Sequence, residues 1–321
     1  MLTNTEKRVL DHINPDEVVA WTQELVRIPS VYRPRKGEAE EPAARWVETR
    51  FKEMGLQTTW EEVEPGRPNV IGIHKGDDNG KTLMFEGHTD VVTEGDASQW
   101  THDPFGAEIV EGRIYGRGAN DMKGGLVAAI CATKAIVESG VQLKGNILIG
   151  ALADEEGLMK GVKHFVRQGW AENVDAALIC EPEDNRLCVA QKGVMWVRIT
   201  ATGKMAHGCM PLTGVNPIYP MGAFLTELQK MEAGEIARHG SDPFLGQPSI
   251  TPTIIESPLQ GEPQNNVMPA RCRVTLDVRL IPGQSPEDIE AGVRGIFEQL
   301  EGGDTPPHFD LEVIESRPPT S

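Results

Sequence analysis

The sequence predicts an α/β protein: a sheet with helices on both faces, carrying a second, smaller α+β domain. Three observations lead there. Apolar segments of strand length alternate with helix-period segments through residues 1–185. After about Arg186 the texture changes to long alternating strands with two helices. The length of 321 residues suits two domains of about 150 each.

The elements follow in order. Asn14 can cap a helix with Pro15 at its first position, running through VVAWTQELVRI. A second helix, about 41–54, stops at Gly55. Strands are expected near 70–74 and 82–85, and AEIVEGRIYG reads as a hairpin turning at Glu111-Gly112. MKGGLVAAICATKAIVESG is an amphipathic helix ending at Gly140. Then come a buried strand at 146–153, a helix near 160–168 and an apolar strand at 176–180.

In the second half LCVAQ and GVMWVRITATG read as paired strands, and 216–231 as a helix. SITPTIIES and RCRVTLDVRLI are further strands, and 285–300 is a helix opened by Ser285-Pro286. FDLEVIE reads as a strand returning to the first domain. The expected division is therefore 1–185 for the first part of the larger domain, 186–303 for an inserted α+β domain, and 304–321 for the return.

Composition narrows the function. Hydrophobic residues make up 39% and charged residues 25%, an ordinary globular balance. A net charge of −17 argues against a nucleic-acid or anionic-membrane surface, and an acidic substrate would need locally placed cations. No apolar stretch reaches the roughly 18 residues of a membrane span. MLTNTEKRVLDHINPDE has no apolar core, so no signal peptide is expected. Five scattered cysteines, none as C-x-x-C, favour free thiols and a cytoplasmic setting.

Four short segments carry the chemistry: EGHTDVV (86–92), GRGANDMKGG (116–125), ADEEG (153–157) and CEPED (180–184). Each lies at or just after an expected strand end, where open α/β sheets bind ligands. His88 and Asp90 are spaced for a carboxylate to orient a ligating imidazole. Asp121 sits where a Gly-rich loop enters a helix, in neither phosphate-loop pattern.

Asp90, Asp121, Glu155, Glu156 and Glu181 would converge on one rim. At about 4 Å, each like-charge pair costs roughly 4 kcal/mol at an effective dielectric of about 20. Basic side chains near the motifs are few: Arg113, Arg117, Lys123 and Lys160. A pair of divalent cations bridged by a carboxylate would neutralise the cluster, and mixed His and carboxylate ligands suit zinc. The plainer alternative is a spread, solvated acidic rim. There is no GxSxG elbow and no cysteine in a nucleophile context, which disfavours covalent catalysis.

GHTDVV, WTHDPF (100–105), IYGRGANDMKGG, ADEEG and EPE, in that order, resemble the M20 family of metallopeptidases and deacylases over nearly the whole chain. Acetylornithine deacetylase and succinyl-diaminopimelate desuccinylase are members. The resemblance implies a zinc-peptidase-type catalytic domain on a mostly parallel sheet, interrupted by a lid that dimerises. It implies that His88 binds one zinc and Asp90 orients it. Asp121 bridges both zincs, often with a cis peptide following. Glu155 is the general base, Glu156 binds the second zinc, and Glu181 shares the zinc of His88.

KMAHGCMPLTGVNP resembles the family's G-x-x-A-H-x-x-x-P segment, which makes His207 the donor to the developing oxyanion. PQNNVMPARCRVTLDVR resembles the segment supplying an asparagine and an arginine to the substrate. Asn266, with Asn265 left open, and Arg279 are the matching positions. The plainer readings are a surface histidine at His207 and pairing of Arg279 with Asp277 or Glu287. His102 is read as structural. The implied reaction is hydrolysis of the amide of an N-acyl amino acid or small peptide by a homodimer. The implied cofactor is two zincs per subunit, which cobalt can replace.

The family pattern also has a histidine ligand near its C-terminus. Past residue 239 this sequence has only His308, without the expected context. The implied second zinc position is therefore incomplete, and the catalytic domain shortened. Three outcomes stay open: an amidohydrolase with two zincs or one, a catalytically impaired metal-binding and dimerising fragment, and an aminopeptidase-type dipeptidase. Without its cation, Glu156 is expected to have a raised pKa beside Asp121.

Overall fold

The computed structural model describes residues 2–77, 80–301 and 308–320. Two compact units follow one another along the chain, Met1–Asn185 and Arg186–Ser321.

The first unit opens with helices α1 (Asn4–Leu10), α2 (Pro15–Val26) and α3 (Glu41–Glu53). The Asn14 side chain caps α2 by accepting the N–H groups of Asp16 and Glu17. Strands β1 (Gln57–Glu64), β2 (Arg67–His74) and β3 (Thr82–His88) follow, then the hairpin β4 (Glu108–Val110) and β5 (Arg113–Tyr115). That hairpin turns at Glu111 and Gly112, both at positive φ. Helix α4 (Gly124–Glu138), β6 (Asn146–Leu152), α5 (Lys160–Arg167) and β7 (Ala176–Ile179) complete the unit.

The sheet order is β1-β2-β6-β3-β7. β2 runs antiparallel to β1 and β6, whereas β3 runs parallel to β6 and β7. The sheet is thus mixed rather than mostly parallel. The cause is local: Glu64 pairs with Arg67 across Pro65-Gly66, with Gly66 at φ 76°, and this tight turn folds β2 back on β1. β1 itself escapes prediction because QTTWEEVE carries only two large apolar residues and sits at the sheet edge.

Alternation along the strands feeds two apolar layers. Val70, Ile147 and Ile149 pack with Leu25, Val47, Phe51 and Ile130 from α2, α3 and α4. Ile71, Met84 and Leu148 pack with Phe165 of α5 on the other face. Each such side chain contributes about 1.5–3 kcal/mol by leaving water.

The second unit contains β8 (Gly193–Thr202), β9 (Ala206–His207), α6 (Ile218–His239) and β10 (Ser249–Glu256). It continues with β11 (Val267–Met268), β12 (Arg271–Leu280), α7 (Pro286–Leu300) and β13 (His308–Arg317). Its antiparallel sheet has the order β10-β12-β8-β13. Phe224 and Leu228 of α6 and Val293 and Phe297 of α7 pack onto Val197, Ile199, Val274 and Leu276 of the sheet.

Three expectations need correcting. The last strand does not return to the first unit: β13 pairs with β8, Phe309 opposite Ala201 and Leu311 opposite Ile199. The reason is Phe309, which stacks on Phe297 at 5.0 Å between centroids and joins the second core. LCVAQ forms no strand. Leu187 is 88% exposed, and only Gln191 makes a bridge, to Thr320. Helix α6 runs on from Met231 to His239, where Glu235 accepts a hydrogen bond from Gln284 at 2.8 Å.

Candidate metal centre

β3, β6 and β7 are parallel, so their carboxyl ends share one edge of the sheet. His88 is the last residue of β3, Glu155 and Glu156 follow β6, and Glu181 follows β7. Asp121 lies in an irregular turn just before α4, and the Asp121–Met122 peptide is cis.

His88 is fully buried. Its Nδ1 lies 2.9 Å from the Asp90 carbonyl oxygen. Donation there leaves Nε2 as the nitrogen that could bind a metal on losing its proton. That nitrogen faces the carboxylates: Asp121 Oδ1 at 3.1 Å, Glu181 Oε1 at 3.6 Å and Glu155 Oε2 at 3.9 Å. Two overlapping sets have ligand atoms within 4.8 Å of one another, His88 with Asp121 and Glu156, and His88 with Glu155 and Glu181.

Protonation reflects the crowding. Burial, then the charge of Asp121, pushes the Glu156 carboxyl up to about 7. Burial pushes Glu181 up to about 7 as well. Burial disfavours a charged His88, but hydrogen bonds to Asp121 and Asp90 and the surrounding negative charge override it, to about 11. Asp121 is lowered, chiefly by its hydrogen bond with His88. One imidazole among four carboxylates, two of which hold extra protons, is a donor set that fits divalent cations.

The backbone beneath is fixed by Asp90. Its Oδ1 accepts the N–H of Glu155 and its Oδ2 the N–H of Glu156, each at 3.1 Å. The nearby cations have other tasks. Lys123, also fully buried, donates to the carbonyls of Leu25 and Ile28 at the end of α2. Lys160 pairs with Glu64 at 2.5 Å, and Arg117 lies over the Trp100 ring. Arg113 is exposed. His102 packs on Tyr115 and pairs with Glu108.

In the second unit, Cys209 N–H lies 3.2 Å from His207 Nδ1. Asn266 Nδ2 lies 3.2 Å from His207 Nε2, so these two predicted residues come together. Arg279 does not join them. It forks onto Asp277 at 2.7 and 3.0 Å, eight residues along β12 from Arg271, roughly 26 Å at strand rise.

Sequence motifs also miss three buried groups beneath the cluster: Glu40, Arg67 and Asn69. Their only signal was polarity inside an otherwise apolar strand or at a helix start.

Residues 84–320 match the model of peptidase family M20/M25/M40. Succinyl-diaminopimelate desuccinylase of Rhodospirillum centenum is 33% identical over 305 residues, covering 90% of this chain and 74% of that one. Among solved structures, the di-peptidase Dug1p of Saccharomyces cerevisiae superimposes with a TM-score of 0.78 at 17% identity. That match covers 98% of this chain and 80% of the other. A dinuclear metal binding peptidase of Bacillus subtilis gives 0.59 at 15% identity, covering 95% and 74%. With the matched segment running from within β3 through β13, the chain belongs to peptidase family M20/M25/M40 and is a hydrolase of amide bonds.

Proposed function

We propose that the chain hydrolyses the amide of an N-acyl amino acid or small peptide with a pair of zinc ions held on the β3–β6–β7 rim. The observation that carries this is the convergence of His88, Asp121, Glu155, Glu156 and Glu181 into two overlapping ligand sets. His88 and Glu181 would hold one metal and Glu156 the other, with Asp121 within reach of both. Divalent cations held there would supply a lowered pKa for a bound water and polarisation of the scissile carbonyl. Glu155 takes the proton of the attacking water and delivers it to the leaving nitrogen. His207 donates a ring N–H to the developing oxyanion, where electrostatic stabilisation is usually largest. Asn266 and Arg279 bind the substrate, Arg279 after exchanging Asp277 for a substrate carboxylate.

The same reading makes the chain a homodimer through its second unit. Support comes from exposed Leu212, Tyr219, Ile254 and Ile255 and from the open edge of β10. Five free cysteines suit a cytoplasmic setting. No helix among the described residues is long and apolar enough to cross a membrane.

The test is a panel of N-succinyl and N-acetyl amino acids beside unmodified dipeptides, with zinc or cobalt in excess. Turnover of the acylated compounds is expected. Preference for free amino termini would instead make it a dipeptidase of aminopeptidase type. A second reading, a metal-binding but catalytically impaired protein, draws on His88 being the only histidine in either ligand set among the described residues. Metal-loaded protein inert on the whole panel would favour it.

A further inference from the structure

The loop carrying Glu155 and Glu156 is gripped from below by side chains that belong to none of the motifs. Arg67, 3% exposed at the start of β2, spans two buried carboxylates. Its Nε lies 2.9 Å from both Glu40 oxygens and its Nη2 2.5 Å from Glu40 Oε1. Its Nη1 lies 2.6 Å from Asp154 Oδ1. The Tyr32 ring covers the guanidinium at 3.8 Å from its centroid.

Asp154 gathers the loop in turn. Its Oδ2 accepts the N–H groups of Leu158 at 3.1 Å and Lys160 at 3.2 Å. Two positions along β2, Asn69 ties the loop ends: it accepts from Ala153 N–H at 3.1 Å and donates to the Gly161 carbonyl at 2.9 Å.

A buried charge network of this kind is a poor source of net stability compared with an apolar replacement. What it supplies is a single geometry. Asp154 sits in the left-handed region at φ 61°, immediately before Glu155. The direction in which both glutamates leave β6 is therefore set at the residue Arg67 holds.

We propose that Arg67 is a positioning residue of the reaction, acting through Asp154 with Glu40 as counter-charge to aim Glu155 and Glu156. It belongs to neither ligand set. The inference rests on the functional reading above, in which Glu155 is the base and Glu156 a metal ligand.

Arg67→Lys keeps the charge but not the fork that reaches two carboxylates. Asp154→Asn keeps a loop acceptor and loses the ion pair, and it serves if the first variant folds poorly. Phe165→Leu, in the core on the α5 face, is the stability control. Cobalt titration followed by visible absorption needs no turnover; kcat and KM for an N-acyl amino acid form the second readout.

The expected result is about tenfold or more weaker binding of one cobalt equivalent in Arg67→Lys and Asp154→Asn. Alongside it, kcat falls about tenfold while KM stays within about threefold. Phe165→Leu should lower the melting temperature and leave both readouts unchanged. Folded Arg67→Lys and Asp154→Asn chains that bind cobalt and turn over like wild type overturn the proposal, as does an equal loss in Phe165→Leu. A wild type that binds cobalt but turns nothing over defeats the functional reading alone, since the titration still decides the positioning. A wild type that binds no cobalt defeats both.

Discussion

Asp90 holds Glu155 by its backbone: Asp90 Oδ1 accepts the Glu155 N–H at 3.1 Å, while its other oxygen takes the next N–H at the same distance. The grip acts on the main chain and not on the Glu155 carboxylate. Asp90 meets His88 chiefly through its carbonyl, at 2.9 Å, with Oδ1 at 3.4 Å from the same nitrogen. One residue therefore orients the imidazole with its main chain and the two-glutamate turn with its carboxylate.

Asp90→Ala should weaken metal binding by about 10–100-fold, because both ligand-bearing segments lose their common support. Two N–H groups would lose a charged acceptor, each worth about 1.5–3 kcal/mol. Asp90→Asn, with one oxygen in place of two, should fall between. Competitive titration with a chelator of known affinity measures this. Wild-type affinity in Asp90→Ala would remove Asp90 from any supporting role.

Glu155→Gln should lower kcat by about 10²–10⁴-fold, the usual range for loss of a general base. Metal content, measured by elemental analysis, should stay at the wild-type value. Coupled loss of metal and activity would reassign Glu155 as a ligand.

Metal uptake should release protons. Ligating groups bind in deprotonated form. In the metal-free chain His88 titrates at about 11, raised by Asp121 and Asp90 against the opposing effect of burial. Glu156 and Glu181 titrate at about 7, raised first by burial. All three shifts are upward, so lowering the pH fills these sites with protons and weakens metal binding, and raising it strengthens binding. Roughly two protons should leave per chain at pH of about 7. Calorimetry in buffers of different ionisation enthalpy counts them. A count of zero would mean these groups are not the ligands.

Thiol reactivity should divide the cysteines. Cys188 and Cys209 are exposed, whereas burial pushes Cys131 up to about 11 and raises Cys272. The thiolate is the attacking species, and each unit of upward shift removes about tenfold of it. Brief alkylation of the native protein at pH of about 8 should label Cys188 and Cys209 and spare Cys131 and Cys272 until denaturant is added. Mass spectrometry of the digest reads the order. Early labelling of Cys131 would contradict the packing between α4 and the sheet.

The elements that were legible are those whose information is local. Asn14-Pro15 marks the start of α2 through a side chain two residues from the amide it caps. Glu111-Gly112 marks a hairpin by its positive φ values. His88, Glu155, Glu156 and Glu181 were legible as chemistry because each stands at or just after the end of an apolar run, and Asp121 because a Gly-rich loop carries it into a helix. Parallel strands then carry such ends to one edge. Three features had no local signature. β1 is polar in sequence and becomes a strand only because β2 folds back on it. β13 chooses the second sheet because Phe309 finds Phe224 and Phe297 there. Arg279 finds Asp277 at its own strand, away from His207 and Asn266.

By itself the sequence determined the alternation of strands and helices, the family and the identity of the clustered residues, since residue type and spacing carry all three. Tertiary structure alone decided what holds that cluster in shape. The grip of Arg67 on Glu40 and Asp154 joins residues 27 and 87 positions apart, and the clamp of Asp90 on Glu155 joins residues 65 apart. Partners at such separations share no period, cap or turn. Their contact exists only once burial has taken their charges from water and left each needing the others.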